Sequence, residues 1–149
     1  VTYKNNYYEV GPLARMLDNP KIREIYNIYQ DSIYTRIYAR ILEGKILIEK
    51  NIELIEKIDL SEPSYIKPQI SSNSGYSVIE APRGVLIHKI DILHEKITNY
   101  QIIVPTQFNL SNGTKSNPSP AQKAIMGEKI EYIDTIFKCF DICAVCVNH

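Results

Sequence analysis

Apolar residues recur at helical spacing across residues 21–58. Ile22, Ile25, Tyr29, Ile33, Ile37, Ile41, Ile48 and Ile55 share one broad face. This predicts one long helix, or two with a kink near Gly44, where a second element packs closely. Asp18-Asn19-Pro20 supplies the start signal, a capping side chain followed by proline. Tyr26, Tyr29, Tyr34 and Tyr38 read as core and interface packing. Upstream, Gly11-Pro12 breaks the chain and sets Pro12 at the first position of a helix. Residues 61–76 carry Pro63, Pro68, Gly75 and several serines and read as a long surface connection.

The period then changes. Residues 77–80 and 85–92 read as strands around a loop at 81–84, and 96–104 as a further strand after a turn near His94-Glu95. A hairpin or small antiparallel sheet follows from this. Residues 105–120 have loop composition, and 121–127 form a short helix. In 131–140, Ile133, Ile136, Phe137 and Phe140 lie at helical spacing and carry the end of the chain inward. There is no internal repeat and no linker, so 1–149 is one α+β domain.

Composition narrows the function. Lysine plus arginine and aspartate plus glutamate number 17 each, so net charge is zero. That argues against charge-driven binding to nucleic acid or a membrane surface, and a neutral chain favours life inside a complex. No apolar run reaches the length of a membrane span. The first residues do not form a signal peptide. The three cysteines all lie in 139–149. A disulfide scaffold spreads its cysteines out, so metal-binding thiols in a cytoplasmic protein fit better.

The segment Asp141-Ile142-Cys143-Ala144-Val145-Cys146-Val147-Asn148-His149 concentrates the candidate chemistry. Two thiolates at this spacing can grip one soft metal or bridge two. The pair taken alone divides evenly between a metal site and structural thiols. A zinc site needs a second ligand pair, and Cys139 with His149 would be cramped in that role.

Other stretches break the tie. Glu80-Ala81-Pro82-Arg83-Gly84, followed by Leu86 and His88, resembles a motif of the large subunit of nickel–iron hydrogenases. Glu9-Val10-Gly11-Pro12-Leu13-Ala14-Arg15, Ile103-Val104-Pro105-Thr106-Gln107-Phe108-Asn109 and residues 120–127 are similar to further stretches of that family. Phe140-Asp141-x-Cys143-x-x-Cys146-x-x-His149 resembles its C-terminal signature. The five matches run in the family's order.

The resemblance implies helices of a hydrogenase-large-subunit-like bundle with a small antiparallel β-sheet, completed by a partner chain. It implies a nickel–iron centre with cyanide and carbon monoxide on iron and four thiolates on nickel. Cys143 matches the terminal nickel ligand and Cys146 the bridging one. Arg83 matches a guanidinium held over the open metal face, with Asp141 beside it as orienting carboxylate. Pro82 and Thr106 match residues lining the cyanide ligands. His149, with the backbone carbonyl at about Ile102, matches the site of a magnesium or iron ion near the C-terminus.

Three departures stand out. Ile142 replaces the proline that follows the motif aspartate, and Phe108 stands where many members have tryptophan. The family's N-terminal Cys-x-x-Cys pair and its neighbouring proton-relaying glutamate are absent. The chain therefore resembles the C-terminal part of a large subunit, encoded separately or cut from a longer chain. His149 as last residue suggests a matured end.

The implied partners are an N-terminal large-subunit polypeptide with the other Cys-x-x-Cys, an iron–sulfur small subunit, and H2. The implied function is reversible H2 oxidation. The alternative is a metal-free scaffold like the related subunit of respiratory complex I, and a small zinc protein leaves four of the five stretches unexplained. Glu9 reads as structural, His88 as satisfied by a hydrogen bond in or near the core, and His94 as an exposed turn residue. Cys139 is not expected to be a ligand.

Overall fold

A computed structural model describes residues 1–67 and 73–142. The chain begins with α1 (Pro12–Met16), α2 (Pro20–Tyr29) and α3 (Ile33–Ile55). Three strands follow: β1 (Ser74–Ala81), β2 (Gly84–Leu93) and β3 (Lys96–Ile103). Three short helices close it: α4 (Pro105–Asn109), α5 (Pro120–Ile125) and α6 (Ile130–Cys139).

Helix starts follow local chemistry. Asn19 caps α2 by accepting from the Lys21 backbone N–H at 3.0 Å, and Pro20 opens the helix. Ser32 caps α3, accepting from the Thr35 backbone N–H at 3.2 Å. The long helical stretch is therefore broken at residues 30–32 and not at Gly44. Gln30 turns the chain with a φ of 51°, and Ser32 restarts it. Gly44 lies inside an uninterrupted α3, and a Cβ there would meet nothing within 4 Å. Among the described residues, no element packs closely on it. A single glycine costs a helix about 1 kcal/mol, too little to end one of this length.

The sheet is antiparallel in the order β1-β2-β3. The β2–β3 turn is two residues long, and His94 and Glu95 both take positive φ, 48° and 62°. That is the hairpin geometry whose twist matches the strands. Pro82 and Arg83 form the two-residue turn between β1 and β2, where Ala81 pairs with Gly84. β1 begins at Ser74, inside the stretch expected to be loop. Residues 105–120 also differ from the loop expectation, because α4 occupies their start. Pro105 opens it, and the Gln107 side chain accepts from the Val104 backbone N–H at 2.9 Å.

Two small cores hold the helices. Leu13, Met16, Ile22 and Ala39 form one, with Tyr26 and Tyr38 against it. Ala121, Ile136 and Phe140 form the other, joined by Ile33, Leu110 and Ile142. The isoleucine face expected along residues 21–58 is mostly not buried in this chain. In α3 the buried positions are Thr35, Arg36 and Ala39, while Ile37, Ile41, Ile48 and Ile55 are exposed, as are Tyr29 and Tyr34. The chain exposes 11500 Å² at 17.1 kDa, against about 7,700 Å² for a compact monomer of that mass. Among the described residues, no helix is long and apolar enough to cross a membrane.

Candidate active site

The site is built around the turn carrying Arg83. Arg15, from α1, clamps that turn. Its Nε and Nη2 donate to Glu43 of α3 at 2.6 and 2.8 Å. Its Nη1 donates to Glu80 at 2.8 Å and to the Ala81 carbonyl at 3.2 Å, and Nη2 to the Pro82 carbonyl at 2.9 Å. The hydrogen bonds to Glu43, reinforced by Glu80, hold the Arg15 guanidinium above its ordinary pKa despite partial burial. One guanidinium thus fixes three consecutive residues, 80–82, to the helical body.

The backbone of Val10-Gly11 packs directly on this turn. A Cβ on Gly11 would lie 2.8 Å from the Arg83 carbonyl oxygen, and one on Gly84 would lie 2.6 Å from Val10 Cγ2. Both glycines have positive φ, 118° and 133°, so the close approach and the backbone shape each require glycine. The Asn109 side chain, buried at the end of α4, holds the same segment. Its Oδ1 accepts from the Val10 N–H at 2.9 Å and its Nδ2 donates to the Val10 carbonyl at 3.1 Å.

From the other side, α6 delivers Asp141. This residue takes a φ of 53° just past the helix. Its Oδ2 stands 3.2 Å from Arg83 Nε, with both side chains half-exposed. The pair joins residues 58 positions apart in sequence, and Cys143 follows Asp141 by two positions.

Sequence similarity identifies what this arrangement belongs to. A family model for nickel-dependent hydrogenases matches residues 2–149. The chain belongs to the nickel-dependent hydrogenase family. It is 28% identical over 149 residues to the coenzyme F420 hydrogenase subunit alpha of Methanothermobacter thermautotrophicus, covering 99% of this chain and 33% of that protein. It is 27% identical over 164 residues to the sulfhydrogenase 1 subunit alpha of Pyrococcus furiosus, covering 99% of this chain and 38% of that protein. The reduced, active Ni-Fe-Se hydrogenase from Desulfomicrobium baculatum superposes with a TM-score of 0.81 at 27% identity, covering 99% of this chain and 36% of that one. This hydrogenase-family chain thus spans about a third of the length of the curated relatives it matches.

The expected site residues fall into three groups. Arg83 and Asp141 are brought together, with Pro82 in the same turn. Thr106 is buried in α4, and α4 packs against β2. Ile102 lies on β3 opposite His88, with its side chain half-exposed. His88 is four positions along β2 from Gly84, roughly 13 Å by strand rise, so Ile102 is not in the Arg83–Asp141 cluster. Cys143, Cys146 and His149 lie outside the described residues. Among the described residues, no three or more histidines, cysteines and carboxylates gather as a metal site.

The donor set still fits half of a nickel–iron centre. Cys143 and Cys146 are soft ligands suited to nickel and iron, and they follow directly on a carboxylate held by a guanidinium. Cys139 is buried in α6 and its Sγ donates to the Thr135 carbonyl at 3.1 Å. Burial pushes its thiol pKa up, against the pull of Arg36 and Arg40, so it stays a protonated packing group.

Glu9 and His88 have structural partners. Glu9 pairs with Arg36, and His88 Nδ1 lies 2.5 Å from Tyr100 Oη. Residue-level reading missed Arg36 and Glu43 altogether. Their only signal was a charged residue on the inward face of an amphipathic helix, which marks a buried ion pair once the fold is known.

Proposed function

We propose that this chain is the C-terminal part of the catalytic subunit of a nickel–iron hydrogenase, which interconverts H2 with two protons and two electrons. The observation that supports this reading is the Arg83–Asp141 pair at 3.2 Å, a cationic fork paired with the carboxylate that precedes Cys143 by two positions in the sequence. Cys143 and Cys146 would supply two of the four thiolates. The other two come from the rest of the large subunit, which carries its own Cys-x-x-Cys. When bound, the centre supplies the two-electron chemistry of H2.

This chain's residues do the rest. Arg83 would supply positive charge toward the bound centre, with Asp141 as its carboxylate partner. Pro82 and Thr106 would line the pocket that takes the iron and its diatomic ligands. His149 and the carbonyl at Ile102 would hold a magnesium or iron ion. Electrons leave through an iron–sulfur small subunit.

Metal analysis of the purified complex tests the reading, with Cys143→Ser and Cys146→Ser as controls. Nickel together with iron is expected in the unaltered complex. Each serine variant should lose H2 turnover entirely, because an alkoxide is too hard and too basic to replace a thiolate on nickel. Zinc alone, no metal, or normal turnover in a serine variant that retains nickel overturns the assignment. The metal-free result would instead support a scaffold subunit.

A further inference from the structure

One ion pair of the site's surroundings is not explained by the ligand set. Arg36 of α3 is 4% exposed, a costly place for a cation unless it is fully paired. Its Nε and Nη2 donate to the two carboxylate oxygens of Glu9 at 2.9 and 2.8 Å. Nη1 donates to the Asp31 carbonyl, and the guanidinium lies over the Phe140 ring, 4.4 Å from its centroid. One turn later, Arg40 Nη2 donates to the Cys139 carbonyl at 3.0 Å. Glu9 immediately precedes the Val10-Gly11 backbone that seats Arg83, and Phe140 immediately precedes Asp141. The cavity left where these groups meet holds about 10 Å³, at or below what one water needs.

We propose that Arg36 and Glu9 are positioning residues, whose pair holds the seat of Arg83 and the end of α6 at a fixed separation so that Arg83 and Asp141 meet. The guanidinium is a rigid plane with one edge on Glu9 and one face on Phe140. A shift of either neighbour is therefore passed to the other, because the junction has no slack to absorb it. Lysine cannot replace it, since a point charge makes neither the two-pronged bond nor the stack. The kinetic part of this inference rests on the hydrogenase reading, while the geometric part does not.

The experiment uses the complete enzyme complex carrying the double variant E9Q/R36M. It removes the charges of Glu9 and Arg36 while keeping two side chains of similar size, and it leaves the partly exposed Asp31 carboxylate, 3.3 Å from Arg36 Nη2, without that partner. The decisive measurement is the Arg83 Nε to Asp141 Oδ2 separation in a crystal structure of the variant complex. A separation beyond 4 Å supports the proposal, and an unchanged 3.2 Å overturns it. The expected kinetic result is nickel and iron at the unaltered level, an unchanged KM for H2, and kcat lower on the order of tenfold or more. Unaltered kcat with intact metal content overturns the kinetic part. If the unaltered complex holds no nickel, the hydrogenase reading falls and the crystallographic separation still decides the geometry. Should the double variant fail to assemble, R36K is read by the same separation, with the same two outcomes.

Discussion

At the scale of single residues, arginines organise the site by three different means. Arg83 acts as a half-exposed fork, Arg15 as a clamp on backbone and carboxylates, and Arg36 as a buried plane between two elements. Substitution should separate them. Arg83→Lys keeps the charge but loses the planar fork. It should leave nickel and iron bound and lower H2 turnover on the order of a hundredfold, as read from metal content and turnover on one preparation. Arg15→Met leaves the carboxylates of Glu43 and Glu80 and the carbonyls of Ala81 and Pro82 without their donor. About 2 kcal/mol of destabilisation is expected, visible as a lowered melting temperature of the complex, with activity reduced because the Arg83 turn is freed. Cys139→Ser should retain both nickel and activity, since its thiol already has a backbone acceptor within α6. Loss of nickel in that variant would show that a different thiolate set is used. Arg83 and Asp141 were legible in the sequence because each sits in a motif. Arg36 was not, because a charged residue on an apolar helix reads as solvated until the helix is seen to turn that face inward.

At the scale of elements, the local signals placed most boundaries and failed where two signals compete. Asn19-Pro20 and Pro12 start helices where expected, because capping and proline chemistry act within a few residues. Asn19→Ala should accordingly cost about 1 kcal/mol, measured by thermal melting of the complex. The break at residues 30–32 was hidden by an apolar period that continues through it. Gly44 suggested a break that the helical hydrogen-bond ladder overrides. α4 was missed because its composition is that of a loop, and Pro105 with Gln107 supplies just enough capping for one short helix. The contact between the Val10-Gly11 segment and the Arg83 turn gives the sharpest test at this scale. Gly11→Ala adds a methyl 2.8 Å from the Arg83 carbonyl at a φ of 118°. The turn must move, so H2 turnover should fall by tenfold or more and the melting temperature should drop. An alanine variant with unaltered turnover and stability would show that this approach is not tight in the assembled enzyme.

At the scale of the whole molecule, the chain is open. Ile41, Ile48, Ile52 and Ile55 of α3 and Leu60 beyond it are exposed, and the surface is about half again that of a compact monomer of this mass. The relatives are about three times as long. The chain expressed alone should aggregate and bind no nickel–iron centre. Coexpression with the remaining large-subunit polypeptide should give a soluble complex by size-exclusion chromatography, with nickel and iron in it. A soluble, monomeric, H2-active 149-residue protein would contradict this. By itself the sequence determined the motifs, the starts of α1 and α2, the small antiparallel sheet and the identity of the candidate donors. Those depend on residue type and on interactions between near neighbours. The motif resemblance also implied Asp141 beside Arg83, but only the tertiary structure decided which face of α3 is buried and that Asn109 grips Val10. These depend on packing between segments far apart in sequence, for which no local pattern carries a signal.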